Sequence, residues 1–262
     1  EQTWNGSSTT NGRCTATISR NGDLLHRMYI EVGGTTADCL NPGASWIKDV
    51  EVQIGGQQVD KHSGAWLEAY AELTESNPNG TTATLTVNST AAPTGLTRFQ
   101  GMAGMGGVDG AAVASNFTVP LRFFFCKNPG LALPLIALQY HEVKVVLDHI
   151  IATVFTANPV NKLWCDYIYL DTDERRRFAQ VSHEYLIEQL QDSGEESASA
   201  SNNKYRLNFN HPCKELVWAQ QVATSNAATM ITNYGATNLT TNAQLKLNGH
   251  DRFSAQSGDY FN

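Results

Sequence analysis

Short segments of alternating apolar and polar residues recur through the first part of this chain, each bounded by turn residues, which is the pattern of half-buried strands. Residues 13–20 alternate, Asn21-Gly22 has the composition of a two-residue hairpin turn, and residues 23–32 return with Leu25, Met28 and Ile30 available for a core. Residues 49–54 set Val50, Val52 and Ile54 on one face, and Gly55-Gly56 turns the chain into residues 57–60, a second hairpin. The period then changes. Trp66, Leu67, Tyr70 and Leu73 stand at helical spacing, so residues 64–73 are predicted as a short amphipathic helix against the end of a sheet. Residues 81–87 alternate again, and residues 92–110, with GMAGMGG at 101–107, read as a long flexible surface loop. Residues 117–125, 133–138, 141–150 and 165–171 supply four more strands, the first broken by Pro120 and so placed at an edge or a bulge. That makes about eight strands, the number in a jelly roll whose two sheets bury the alternating residues. Tyr70, Phe123, Phe125, Leu135, Val145 and Tyr167 are the expected core positions.

The strand ending at Leu170 runs without glycine or proline into a charge cluster, where Asp171 or Asp173 can cap a helix and Glu174 suits its positive end. A helix is therefore expected to begin near Asp173 and to close a first domain of residues 1–191. Residues 192–203, DSGEESASASNN, are too polar and small to join a core and read as a linker or loop. Beyond it, residues 205–209, 214–222 and 244–247 look like strands, an incomplete second domain over 204–262. The fold class is thus all-β, a jelly-roll sandwich with short helices.

Composition agrees with that class. Hydrophobic residues are 41% and charged residues only 16%, while Thr, Asn, Ser and Gly are abundant, a mixture that favours strands and turns. The formal net charge of -7, from 18 Lys plus Arg against 25 Asp plus Glu, repels phosphate backbones, so no direct nucleic-acid contact is expected. The Arg175–Arg177 run sits beside Asp171, Asp173 and Glu174 and reads as an ion-pair face. Five widely spaced cysteines, Cys14, Cys39, Cys126, Cys165 and Cys213, imply reduced thiols, not a zinc site or a disulfide scaffold. No secretory signal is recognised at residues 1–12, and the most apolar stretch, residues 131–138, is far shorter than the ~20 residues of a membrane span, so membrane insertion is not expected.

Site chemistry is sparse. His26, His62, His141, His149, His183, His211 and His250 include neither an i, i+4 pair nor a His-x-His, so no metal or cofactor is assigned; His141 beside Glu142 reads as a rim residue. Asp171-Thr172-Asp173 is read as a helix cap in preference to a cation clamp, and the glycine run lacks the Lys of a phosphate loop. No nucleophile elbow occurs, so no catalytic residue is assigned. Acceptor triplets for N-glycosylation start at Asn5, Asn79, Asn88, Asn116 and Asn238, and the last four are retained as candidate sites, although a chain rich in Asn, Ser and Thr creates such triplets by chance. The same fold could serve as a carbohydrate-binding module with Trp4, Trp46 or Trp66 as stacking platforms.

Residues 54–74 (IGGQQVDKHSGAWLEAYAELT), 128–148 (NPGLALPLIALQYHEVKVVLD) and 166–191 (DYIYLDTDERRRFAQVSHEYLIEQLQ) closely resemble the major capsid proteins of large nucleocytoplasmic DNA viruses, the group of algal viruses and iridoviruses. NFNHPCKELVW at 208–218 and NGHDRF at 248–253 resemble the same family. The resemblance implies two consecutive jelly rolls per subunit, of which this chain would hold the first and the start of the second. It further implies a homotrimeric capsomer of pseudo-hexameric outline, packed with neighbouring capsomers and minor capsid proteins into an icosahedral virion shell assembled inside the host cell. Family members continue past the segment that resembles residues 257–262.

Overall fold

The computed structural model describes residues 1–37, 39–76, 83–85, 96–110, 114–197, 203–218 and 242–261. Its first elements are β1 (Trp4–Gly6), β2 (Gly12–Thr17), β3 (Leu24–Thr36), β4 (Cys39–Leu40), α1 (Pro42–Ser45), β5 (Ile47–Ile54), β6 (Gln57–Ser63) and α2 (Gly64–Thr74). They are followed by β7 (Ala83–Leu85), α3 (Arg98–Ala103), β8 (Val108–Gly110), β9 (Ala114–Pro120), α4 (Phe124–Lys127) and β10 (Leu133–Pro134). β11 (Val143–His149), α5 (Ile151–Val154), β12 (Phe155–Ile168) and α6 (Thr172–Gln180) complete the larger unit.

One antiparallel sheet has the order β1-β2-β11-β5-β6, and in the other β3 lies between β12 and the end-to-end pair β9 and β10. Alternation determines which side chains lie inside. Cys14, Ala16, Val50, Val52, Val145 and Leu147 point inward from the first sheet, and Met28, Ile30, Val32, Phe117, Val119 and Leu163 from the second, all nearly or wholly buried. Phe123, Phe125, Phe155 and Trp46 fill the ends of this sandwich. A small three-stranded sheet, β4-β8-β7, lies beside it, with β7 and β8 parallel.

Several expectations hold in detail. Gly55 and Gly56 take φ of 61° and 83°, the left-handed pair a tight hairpin requires, and join β5 to β6. Pro120 ends β9, which pairs only with β3 among the described residues. Asp171 caps α6, its carboxylate accepting from the Glu174 N–H at 2.9 Å. Phe123, Phe125, Leu135 and Val145 are buried; Tyr70 and Tyr167 are only half-buried.

Other expectations are corrected. Asn21-Gly22 does not close a hairpin: β2 pairs with β1 and β11 in one sheet, while β3 belongs to the other. Gly22 is required there because a Cβ would lie 2.5 Å from that of Tyr167, a packing demand that leaves the same mark in the sequence as a turn. In α2 the buried face is Gly64, Leu67, Glu68 and Ala71, and Leu73 is 61% exposed. Residues 98–110 are not a flexible loop. Thr97 and Gln100 form a reciprocal capping box for α3, Gly104 ends that helix at φ 62°, and Gln100, Ala103, Met105 and Val108 are buried. β12 starts at Phe155, not near Cys165; two irregularities around Asn158 (φ 50°) and a third after Cys165 break its alternation into short stretches. Residues 135–138 turn instead of continuing β10, and residues 124–127 are one helical turn.

A second unit is drawn from the residues after Asn208. It contains β13 (Asn242–Ala243), β14 (Lys246–Leu247), β15 (His250–Asp251) and β16 (Gln256–Ser257), paired β13 with β16 and β14 with β15. Asn248 and Gly249, at φ 51° and 83°, form the tight turn between β14 and β15. Residues 205–209 and 214–218, expected as strands, carry no strand among the described residues; residues 219–222 and most of 81–87 lie outside the described residues.

Candidate assembly surface

Four of the seven histidines are absorbed by structural bonds. His62 Nε2 lies 3.0 Å from the buried Asp60 carboxylate and its ring stacks on Phe123. His149 is fully buried, bonds the Ser7 carbonyl at 2.8 Å and meets Trp46 edge-on; burial holds its imidazole below the usual range. His26 bonds the Phe125 carbonyl and His183 that of Phe178. His141 is exposed at the rim, as expected. Among the described residues no three His, Cys, Asp or Glu side chains come together as metal ligands. Burial pushes the Cys14, Cys126 and Cys165 thiols up to about 12, which keeps them protonated and unreactive.

The glycine run does hold an anion, but one of its own. Gly106 and Gly107 donate their backbone N–H groups to the Glu68 carboxylate, both to Oε1 at 2.9 Å, and Gln100 Nε2 bonds the Gly106 carbonyl. Burial raises the Glu68 carboxyl to about 7 against the opposing pull of these amides, with Glu72 adding to the rise. The Asp171 cap and the Arg175–Asp23 pair at 3.0 Å likewise use charged groups for structure. Sequence reasoning missed Glu68, and the only available signal was a carboxylate on the apolar stripe of α2.

Trp46 is wholly buried, with its indole N–H on the Gly43 carbonyl, so it offers no stacking platform; Trp4 and Trp66 are half-buried. Asn116 is exposed on β9 and Asn5 is exposed on β1, whereas Asn79, Asn88 and Asn238 lie outside the described residues.

What this unit presents is surface. The outer face of the five-stranded sheet is a mosaic of paired charges: Arg13–Glu51 at 2.8 Å, Lys61–Asp49 at 3.0 Å and Lys48–Asp148 at 3.8 Å. The outer face of the second sheet differs. Pro120, Tyr29 and Trp164 stand in one cross-strand row, the two rings lie within 11° of parallel, and Glu31 accepts the Trp164 indole N–H at 2.8 Å. Tyr140, 93% exposed, stands on the loop before β11, at a cleft of about 540 Å³ shared with Arg20, Gln139, His141 and Glu142. Leu186 is 92% exposed and Tyr169 is also largely bare. Such side chains, with no convergent reactive groups, suit contact with other protein surfaces.

Known proteins agree with a contact role. Residues 1–171 match the family described as "Major capsid protein N-terminus", and residues 174–262 match "Large eukaryotic DNA virus major capsid protein". The major capsid protein of Pyramimonas orientalis virus is 46% identical over 282 residues, covering 100% of this chain and 64% of that protein. That of Paramecium bursaria Chlorella virus 1 is 37% identical over 309 residues, covering 100% and 67% respectively. A solved structure titled as a quasi-atomic model of the PBCV-1 virus capsid superposes with a TM-score of 0.73 at 31% identity, covering 100% of this chain and 71% of that one. The chain therefore spans about two thirds of the length of these relatives, and matches to both halves of the family occur in their natural order. By these matches, which together take in almost every residue, the chain belongs to the major capsid proteins of large eukaryotic DNA viruses.

Proposed function

We propose that this protein is a structural subunit of a virion shell and acts by associating with copies of itself. The observation that supports this most is the family match along nearly the whole chain, joined to a sandwich whose described polar clusters are all engaged in holding the fold. Broad sheet faces and the loops between strands give copies self-complementary surfaces on which to meet. The subunit forms a homotrimer, and trimers pack against neighbouring capsomers and minor capsid proteins without direct contact to nucleic acid and without entering a membrane. Residues 1–191 are the first jelly roll, 192–203 the connection and 204–262 the start of the second. Exposed Asn116 is the described candidate acceptor best presented for a glycan, which intact-mass measurement of virion-derived protein would reveal.

Native mass spectrometry of the protein at micromolar concentration tests the reading. A trimer is expected, and a stable monomer would overturn it.

A further inference from the structure

The segment after α6 has no secondary structure, yet it follows the surface of the sandwich. In residues 183–187 the odd-numbered side chains are half-buried and the even-numbered ones exposed, as in a strand lying on a support. His183 stacks between Phe178 and Tyr185, the Tyr185 hydroxyl reaches the Ala132 carbonyl at 3.4 Å, and Glu188 lies 3.7 Å from Lys127. The run ends at β6. Gln189 Nε2 donates to the Val59 carbonyl, and the Leu190 N–H donates to Asp60 Oδ1 at 3.1 Å.

Val59 is a special position. β6 pairs Asp60 with Val52 and Gln58 with Gln53, so Val59 is the extra residue of a bulge and is left without a ladder partner. Asp60 beside it is buried, and its orientation is fixed: Oδ1 also accepts from the Lys61 N–H at 2.9 Å, and Oδ2 faces His62 Nε2, whose ring is held against Phe123. Two acceptors, one a bulge carbonyl and one a buried carboxylate, are thus presented side by side on the outer strand of the sheet. They meet two consecutive donors of the connecting segment.

We propose that the β6 bulge is a docking site for residues 189–190, a latch that pins the connecting segment to the first jelly roll and can open while the sandwich stays folded. The contacts on the segment's side are one side chain and one backbone N–H, not a strand ladder, so undoing them leaves every pairing of β5, β6 and β11 in place. Immediately beyond the latch, residues 192–197 are exposed and include Gly194 at φ 78°.

The test uses Gln189→Ala combined with Leu190→Pro, which removes both donors and leaves Asp60, His62 and Phe123 untouched, with Gln189→Ala alone as the milder variant and Leu186→Ser as a control on an exposed position. Limited proteolysis and hydrogen exchange would follow residues 181–191, and the thermal midpoint would follow the sandwich. Cleavage within 181–191 is expected to quicken about tenfold in the double variant and less in the single one, with the midpoint and the Leu186→Ser rate near those of the unmodified chain. An unchanged cleavage rate would overturn the latch. So would a midpoint that falls in step with cleavage, since the segment would then open only with the whole fold.

Discussion

Glu68 gives the sharpest quantitative test, because a carboxyl only 3% exposed accepts two backbone amides that have no other partner in view. Truncation to Ala strands the Gly106 and Gly107 N–H groups in a buried site. At roughly 1 to 3 kcal/mol for each unpaired donor, the loss should be about 2 to 6 kcal/mol. Gln keeps a carbonyl oxygen where Oε1 sits and should cost about 1 kcal/mol or less near neutral pH. The pH dependence separates the two effects. The carboxyl is raised from 4.5 to about 7 on folding, so the folded chain holds a proton that the unfolded chain has lost. Its contribution to stability is therefore complete below about pH 4.5 and disappears as pH rises through about 7; at about 1.4 kcal/mol per unit the swing is on the order of 3 kcal/mol. Glu72 shifts the same way, while Asp23, lowered by the Leu170 N–H and by Arg175, shifts oppositely and loses its contribution as pH falls. Only the difference between the chain and Glu68→Gln isolates the site. Urea unfolding of both at pH 5, 6, 7 and 8 should show the Gln variant gaining on the parent as pH rises. A difference that stays constant within about 0.5 kcal/mol, or an Ala variant less than about 1 kcal/mol destabilised, would refute the assignment of these amides to Glu68.

Further outcomes follow from the same structure. Phe123→Ala should cost about 3 to 5 kcal/mol by chemical denaturation, since that ring is wholly buried between His62 and Phe125. Gly22→Ala should lower stability by about 1 to 3 kcal/mol, because its Cβ would strike Tyr167; a neutral result would refute the packing explanation. Tyr140→Ser should leave the thermal midpoint within a degree or two while weakening self-association in sedimentation, and an unaltered association constant would remove that side chain from the contact surface. Amides of β11, at the centre of its sheet, should be among the slowest to exchange, and rapid exchange there would overturn the sheet order.

Two of the five Asn-Gly pairs, at 21–22 and 248–249, show what the sequence can and cannot convey. At 248–249 both residues adopt the left-handed conformation and close a two-residue hairpin; at 21–22 the same dipeptide lets the chain pass from one sheet to the other, its glycine chosen by the flank of Tyr167. Local chemistry is identical in the two places, and the deciding atom lies 145 positions away. Elements specified within a few residues were legible: the Gly55-Gly56 turn, the Asp171 cap and the α2 helix. α3 was legible too, for Thr97 and Gln100 carry the spacing of a capping box, but the surrounding glycines outweighed it. β12 was hidden because bulges shift the alternation by a residue, which turns an inward pattern outward.

The contact surface was the least legible part, and for a physical reason. Strand alternation assigns a residue to a face without saying what covers that face, so Tyr29 and Trp164 on the outer side of their strands read like any aromatic residues in a sheet. Tyr140, on a turn, carries no periodic mark at all. Catalytic sites announce themselves because chemistry needs few residue types at fixed spacing, whereas a surface built for association needs only shape and exposed area, which many sequences provide. Function was therefore read from long ungapped resemblance and then from family matches across both halves of the chain. The structure adds what resemblance could not: the buried carboxylates of Asp23, Asp60 and Glu68 each accept backbone N–H groups from segments far along the chain, so these three acidic residues fasten the approach to α6, the connecting segment and the glycine run to the sandwich.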